Sequence, residues 1–242
     1  ALFVNYRPLA QHDLQLRAFC KRAFRMPTFN DLYYTDIGNK YLKPEFTVQY
    51  DGGISYRKSW EQAFFNTFEI TGDGYDKIIA YPTGRQFRWS MLNLGRVEIR
   101  GCDLSVQTTA LVGKVTIGLQ GKYTYQKAQD FTDPDYKYYG DQIPYIPLHS
   151  GSVMAWGIWK AWSLQYSFIY TGERYMNSEN TAKNLMQPWY TSDLSLSRTF
   201  SIKKIACKAS AEVNTLFNQH YDVIANYPMP GTNFKITLTI QL

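Results

Sequence analysis

The sequence lacks any long apolar segment. No run of about 18 apolar residues occurs in its 242 residues, so it predicts no transmembrane helix. The first residues, ALFVNYR, also lack the charged start and the apolar run of a signal peptide. We therefore expect the chain to begin within a strand and to be part of a longer protein.

Paired cysteines and catalytic motifs are also missing. Cys20, Cys102 and Cys207 are far apart and show no CxxC spacing, which argues against a disulfide framework or a zinc site. The three histidines are isolated, and no G-x-S-x-G sequence is present. We predict that the protein is not an enzyme, with a membrane-embedded hydrolase as the weakest alternative.

The charge balance gives no sign of a nucleic-acid partner. The chain has 26 Lys and Arg against 20 Asp and Glu, a formal net charge of +6. The basic residues are scattered along the sequence and form no cluster interleaved with aromatic residues. We expect a solvated, mildly positive surface and no nucleic acid.

Aromatic residues are abundant although the chain is polar on average. Phe, Trp and Tyr make up 17% of the sequence, with 20 Tyr, and the mean hydropathy is -0.37. Several segments alternate apolar and polar residues with a period of two, most clearly residues 114–125, and also 46–56, 162–171, 205–214 and 234–242. This period predicts β-strands with one apolar and one polar face.

The connections between these segments alternate in length. Short ones are expected near residues 57–59, 112–114, 157–158 and 200–202, and long ones at 21–44, 72–92, 128–146, 174–187 and 215–231. Short turns at one rim and long loops at the other are typical of outer-membrane barrels. The sequence thus predicts an all-β, antiparallel transmembrane β-barrel with about eleven strands, roughly half of a 22-stranded barrel. A soluble all-β binding module is the alternative.

Several motifs resemble those of a known family. The sequence reads FRMPTFNDLYY at 24–34, NLGRVEIRG at 93–101, VNTLFNQHY at 213–221 and YPMPG at 227–231. Together they resemble the TonB-dependent receptors, in particular the vitamin B12 and iron-complex branch. Thr215 and Thr232 replace residues that are usually Asn and Arg in these motifs. The motif positions to which we assign a structural role are Pro27, Asn30, Asn93, Gly95, Gly101, Asn214, Phe217, Pro228, Pro230 and Gly231. At Gly101, where the apolar parity changes, we expect a β-bulge.

The resemblance implies a location, a function and partners. Residues 1–242 would form the C-terminal part of the β-barrel domain in the bacterial outer membrane. The plug domain with its TonB box and the N-terminal strands would not be in this chain. The N-terminal strands would complete the barrel, and the plug would seal its lumen. The receptor would import cobalamin, haem or a ferric siderophore, with TonB acting through the plug and lipopolysaccharide surrounding the barrel. A passive pore without TonB coupling is the alternative.

Two candidate sites lie in the long loops. The predicted ligand contacts are aromatic residues and one arginine: Tyr33, Tyr34, Tyr138, Tyr139, Arg174 and Tyr175. These rings could equally hold the loops to one another. Because relatives of the B12 type can bind calcium in such loops, we also consider a calcium site of four carboxylates, from Asp130, Asp133, Asp135 and Asp141. A solvated loop is its alternative, and no covalently bound cofactor is expected.

Overall fold

A computed structural model describes residues 1–9, 13–35, 37–58, 63–82, 89–203 and 205–241. Most of the described residues are in strands. None of the helices among the described residues is both long and apolar enough to cross a membrane. The eleven long strands are β1 (Leu2–Tyr6), β2 (Asp13–Arg25), β3 (Glu45–Lys58), β4 (Ala63–Pro82), β5 (Trp89–Val112), β6 (Val115–Asp130), β7 (His149–Trp159), β8 (Trp162–Thr171), β11 (Trp189–Ile202), β12 (Ile205–Asn214) and β15 (Asn233–Gln241).

The short elements lie in the connections between the long strands. They are the helix α1 (Phe29–Tyr33), the strand pair β9 (Arg174–Tyr175) and β10 (Leu185–Met186), a 3₁₀ turn at Ala182–Asn184, and the strand pair β13 (Asp222–Ile224) and β14 (Tyr227–Pro228).

The long strands form one sheet in which each pairs antiparallel with the next along the chain, in the order β1 to β8, β11, β12 and β15. The predicted all-β antiparallel fold with about eleven strands is therefore confirmed. β1 and β15 are the edges of this sheet, which is not closed on itself. The long connections join consecutive strands, as in an up-and-down barrel wall.

The register separates an apolar face from a polar face over β6, β7, β8, β11, β12 and β15. One row of directly opposed residues runs from Leu119 on β6 through Ala155, Tyr166 and Leu194 to Val213 on β12. The neighbouring row on the other face runs from Gln165 through Ser195 and Glu212 to Lys235. Because side chains alternate along each strand, the apolar and polar sets predicted from the sequence lie on opposite faces.

No second layer covers the apolar face within the described residues. On β15, Ile236 is 86% exposed and Leu238 is 61% exposed. The buried apolar residues of the described chain are few: Leu94, Val97, Ala128, Ile143 and Cys207. A soluble module would bury its apolar face in a core, so this arrangement favours a sheet whose apolar face contacts lipid.

Three predicted connections are wrong. The segment 72–92 is mostly strand, because β4 and β5 remain paired from Ala63 and Thr108 out to Pro82 and Trp89. This part of the sequence shows no strict apolar alternation, so the sequence pattern could not predict these strands. The predicted turn at 157–158 lies within β7, and the chain turns at Lys160, where φ is 53°. The predicted turn at 200–202 likewise lies within β11, and the chain turns at Lys203, where φ is 55°. Of the predicted turn 57–59, Ser59 lies outside the described residues.

The β-bulge predicted at Gly101 is also wrong. Gly101 pairs with Ile70 on β4 and Gln126 on β6, within unbroken registers on both sides. The apolar parity changes for a different reason. Val97 and Ile99 lie on the polar face but are covered by the loop between β6 and β7, whereas Leu104 lies on the apolar face.

The C-terminal motif residues build the turn before the last strand. Asn214 donates its side-chain amide to Asn233 Oδ1 at 2.9 Å, where β12 and β15 begin to pair. Asn218 Oδ1 accepts from the Thr232 amide at 3.0 Å and lies where a side chain on Gly231 would be, so a larger residue at 231 would displace the Asn218 side chain. Pro228 is in β14, and Phe217 is 64% exposed.

Thr215 has a strained backbone. It is buried and has φ 51°, a left-handed conformation in which a β-branched residue is an outlier. Its amide donates to Asp193 Oδ1 at 2.9 Å, and its carbonyl accepts from the Thr232 hydroxyl at 2.7 Å. These bonds hold the residue in place although the conformation is unfavourable.

Replacing Thr215 with Asn should stabilise the protein. Asn tolerates the left-handed conformation, so we expect a gain of about 1 kcal/mol in the free energy of unfolding. The measurement is thermal unfolding of the full-length receptor in detergent, followed by circular dichroism. Thr215→Val keeps the β-branch and serves as the control, which should show no gain. An Asn variant no more stable than the Val variant would contradict the strain argument.

Candidate functional site: the loop rim

The loop between β2 and β3 is held by its own motif. Thr28 caps α1: its hydroxyl accepts from the Asp31 amide at 3.2 Å, and its amide donates to Asp31 Oδ2 at 2.8 Å. Arg25 forms an ion pair with the same carboxylate at 3.8 Å. Pro27 directly precedes this cap, and the Asn30 carbonyl accepts from the Tyr34 amide at 3.1 Å. The motif thus fixes a short helix at the rim.

The same loop is attached to β5. The Asn93 side chain accepts from the Lys43 amide at 2.9 Å and donates to the Lys43 carbonyl at 3.1 Å. The Asn39 side-chain amide donates to the Met91 carbonyl at 3.0 Å. Gly95 leaves room for the side chain of Thr132, whose hydroxyl accepts from the Arg96 amide at 3.2 Å. These motif residues therefore hold the loop to β5.

Tyr33 and Tyr34 are placed where a ligand could reach them. These residues are 52% and 58% exposed on the loop between β2 and β3. Tyr33 also packs against Phe29, with ring centroids 4.8 Å apart, and Lys40 Nζ lies 5.6 Å from its ring. The ligand contact predicted for these two rings stays a prediction.

The loop between β6 and β7 has its own small core. Leu94, Val97, Ala128 and Ile143 pack together, and Val97 and Ala128 have no exposed surface. The buried side chain of Gln142 accepts from the Ala128 amide at 3.0 Å and donates to the Ile146 carbonyl at 3.2 Å. Since a buried amide with satisfied partners fixes its surroundings, Gln142 sets the course of this loop.

The aromatic and acidic residues of this loop contact one another or the backbone. Tyr139 packs edge-on against Phe131 at 5.1 Å, and Tyr138 against Tyr136 at 5.3 Å. The side chains of the four candidate calcium ligands do not converge: Asp130 accepts from the Thr132 amide, Asp133 from the Asp135 amide and Asp141 from the Asn180 amide. Among the described residues, no group of three or more His, Cys, Asp or Glu side chains could hold a metal ion.

The loop between β8 and β11 is joined to the previous one. Asn180 exchanges two hydrogen bonds with the backbone of Gln142, accepting from its amide at 2.7 Å and donating to its carbonyl at 3.0 Å. The Tyr145 amide donates to the Tyr175 carbonyl at 2.8 Å. The two loops therefore form one unit, with the predicted ligand residue Tyr175 at their junction.

Arg174 joins this unit to the loop between β12 and β15. The residue is 3% exposed, and its guanidinium donates to the carbonyls of Gln187 at 3.2 Å, Val223 at 3.3 Å and Asp222. Burial lowers the pKa of Arg174 below its ordinary value, and burial raises the pKa of the neighbouring Tyr145 phenol. Arg174 is one of the predicted ligand contacts, and in the structure its charge is directed at loop carbonyls.

Between these two loops lies a cavity of about 500 Å³, which we call the rim cavity. This is within the usual size range of small-molecule sites. Arg174 binds residues of both walls. Tyr221 stacks on Trp189 at 4.6 Å, and burial raises the pKa of its phenol. No pattern in the sequence predicted this cavity, whose lining residues are Met176, Met186, Gln187, Pro188, His220, Tyr221, Asp222, Ala225, Asn226 and Pro228.

Arg174→Gln should loosen both walls of the rim cavity. The variant loses the charged donors that reach two loops, leaving buried carbonyls unsatisfied at a cost of about 2 kcal/mol. We expect faster amide hydrogen exchange in residues 172–188 and 215–232 of the full-length receptor, with exchange in the long strands unchanged. Arg198→Gln, an exposed arginine on β11, is the matched control. Unchanged exchange in both loops would show that Arg174 does not hold them.

Comparisons with known proteins agree with this architecture. The model of the family "TonB dependent receptor-like, beta-barrel" matches residues 1–216. The chain is 28% identical over 180 residues to the vitamin B12 transporter BtuB of Photobacterium profundum, covering 71% of this chain and 27% of that protein. It is also 28% identical over 107 residues to BtuB of Vibrio vulnificus, covering 44% of this chain and 17% of that protein.

Solved structures show the same fold. The copper transporter OprC superposes with a TM-score of 0.72 at 20% identity, over 98% of this chain and 37% of that one. The ferric-catecholate import receptor Fiu from E. coli K12 gives a TM-score of 0.68 at 16% identity, over 98% of this chain and 34% of that one. The chain thus spans about a quarter of the first BtuB relative and about a third of these structures.

Proposed function

Because this chain belongs to the family of TonB-dependent receptor β-barrels, we propose that it forms part of an outer-membrane receptor that imports a large, scarce nutrient. The observation that carries the proposal is a wall of eleven antiparallel strands whose interlocked loops frame the rim cavity. A ligand too large for a passive pore needs such a prearranged surface for capture.

The two faces of the sheet fit a barrel wall in a membrane. The apolar face would contact lipid, where its exposed aliphatic side chains are stable. Aromatic residues flank it at both ends. Near the short turns the Arg198 guanidinium lies 5.0 Å from the Trp162 ring, and near the long loops the Tyr123 hydroxyl and His149 Nδ1 are 2.7 Å apart. Amphipathic rings at these heights suit the two membrane interfaces.

The polar face would line the lumen and meet the plug. It carries charged pairs that lipid could not accommodate, including Arg17 with Asp51 at 3.9 Å and Glu212 with Lys235 at 3.6 Å. Asp103 accepts from the Thr124 hydroxyl at 2.5 Å on the same face. We propose that the plug and the remaining barrel strands come from sequence outside residues 1–242.

In the proposed mechanism, the loop rim captures the ligand and TonB, acting through the plug, opens the path to the periplasm. Candidate ligands are cobalamin, haem and ferric siderophores. Cobalamin is the first to test, because the relatives that match in sequence carry the name of vitamin B12 transporters. The exposed Tyr33, Tyr34 and Tyr139 offer flat rings to a large planar ligand.

The test is uptake by the full-length receptor in cells that lack their own receptors for these nutrients. We expect one of labelled cobalamin, haem or a ferric siderophore to accumulate only when TonB is present, because transport requires the plug to be moved. Tyr33→Ala with Tyr34→Ala should weaken binding about tenfold, and Tyr41→Ala, in the same loop and 92% exposed, is the matched control. Uptake that does not need TonB would favour a passive pore.

We also propose a contact with lipopolysaccharide on the outer surface. Arg100 and Lys127 lie directly opposite each other on β5 and β6, two residues beyond Cys102 and Tyr125 and about 7 Å further from the membrane centre. Like charges in this position repel each other unless an anion binds between them. Glu98 pairs with Arg96 and, at 3.2 Å, with Arg100. A lipid A phosphate would offset the remaining charge.

Arg100→Gln with Lys127→Gln should reduce the lipopolysaccharide that copurifies with the full-length receptor several-fold, on the order of 1 kcal/mol of binding. Mass spectrometry of the detergent-purified protein measures it. Lys160→Gln, at the short-turn rim, is the control and should change nothing. An unaltered lipopolysaccharide content in the double variant would exclude this pair as a binding site.

A further inference from the structure

Two methionines lie side by side in the rim cavity. In the β9–β10 pair, Met186 is opposite Arg174, and the Met176 amide donates to the Asn184 carbonyl at 2.9 Å, which continues the ladder by one residue. Met176 and Met186 are therefore diagonal neighbours on one face of the hairpin, and both line the cavity. Diagonal Cβ atoms are about 7 Å apart, so the long side chains can bring both sulfur atoms to a single point.

A third soft donor comes from the other wall. His220, from the loop between β12 and β15, also lines the rim cavity, and its side chain is exposed. Within the described part of the chain its ring makes no hydrogen bond, so either ring nitrogen is available to a ligand. Thioethers select soft metal ions such as Cu(I), and imidazole, a borderline donor, also binds copper.

The remaining polar groups do not suit a hard cation. Asp222 is the one carboxylate among the described residues that line the rim cavity, and its Oδ2 accepts from the Asn226 amide at 3.1 Å. Calcium takes six to eight oxygen ligands, which this lining does not supply. The buried Arg174 guanidinium behind both walls adds a positive charge that penalises a divalent ion more than a monovalent one.

We propose that the rim cavity binds a soft, monovalent metal ion, Cu(I), through Met176, Met186 and His220. The binding involves no change of oxidation state. The proposal is independent of the uptake function, because it concerns metal binding by the loops whichever nutrient the receptor carries. A flexible thioether also fills space beside an apolar ligand, and the experiment must separate this role from coordination.

The experiment titrates Ag(I), a redox-inert analogue of Cu(I), into the full-length receptor in detergent. Cys20, Cys102 and Cys207 are free thiols that would bind the same ions, so all variants carry Ala at these positions. We expect one Ag(I) site that Met176→Leu with Met186→Leu weakens at least about 30-fold, because Leu preserves the volume but removes both sulfur atoms. His220→Gln should weaken it about tenfold.

A matched control removes two thioethers elsewhere. Met26→Leu with Met154→Leu changes residues on the β2–β3 loop and on β7 and should leave Ag(I) affinity within about twofold. Hydrogen exchange of residues 172–188 and 215–232 checks that the cavity keeps its shape. If the double variant changes this exchange, the single variants Met176→Leu and Met186→Leu must each weaken Ag(I) binding. Equal Ag(I) binding with and without the two cavity methionines, or no Ag(I) site at all, would overturn the proposal. TonB-dependent uptake is measured separately and does not bear on either outcome.

Discussion

Every backbone amide and carbonyl in the wall must find a hydrogen-bond partner on a neighbouring strand, and the rest of the structure depends on this requirement. Lipid offers no hydrogen bonds, so a wall with an apolar outer face must satisfy its backbone internally. The continuous registers from β1 to β15 meet this need for the interior strands. By the same requirement, the edge strands β1 and β15 would need further strands beside them in the proposed barrel.

Once the wall is fixed, the loops can be ordered by a few buried polar side chains. Gln142 organises the β6–β7 loop, Asn180 attaches the β8–β11 loop to it, and Arg174 adds the β12–β15 loop. Each of these side chains bonds to backbone groups and fixes where the chain runs. A rim built in this way presents a preformed surface, which lowers the entropic cost of binding a large ligand.

Family motifs in this chain are mainly structural. Asn93 holds a loop to β5, Asn218 and Gly231 shape the last turn, and Thr28 with Asp31 caps the rim helix. The sequence motifs thus identify the strands of the wall and the contacts that hold the loops to it. Most of the residues that line the rim cavity lie outside these motifs. Met176 and Met186 lie outside the family motifs. His220 lies within the motif at 213–221, but no metal-binding sequence pattern surrounds it.

The alternation of apolar and polar residues determined the clearest strands and their two faces, because successive side chains of a strand point to opposite faces. The loop connections were only partly predictable, since the hairpin beyond Asp73 is held by backbone pairing and shows no apolar pattern. The tertiary structure alone decided that Val97 is covered on the polar face, that Arg174 binds carbonyls 13 to 49 residues away, and that two methionines face a histidine across a cavity. These contacts join distant parts of the chain, and no local pattern in the sequence encodes them.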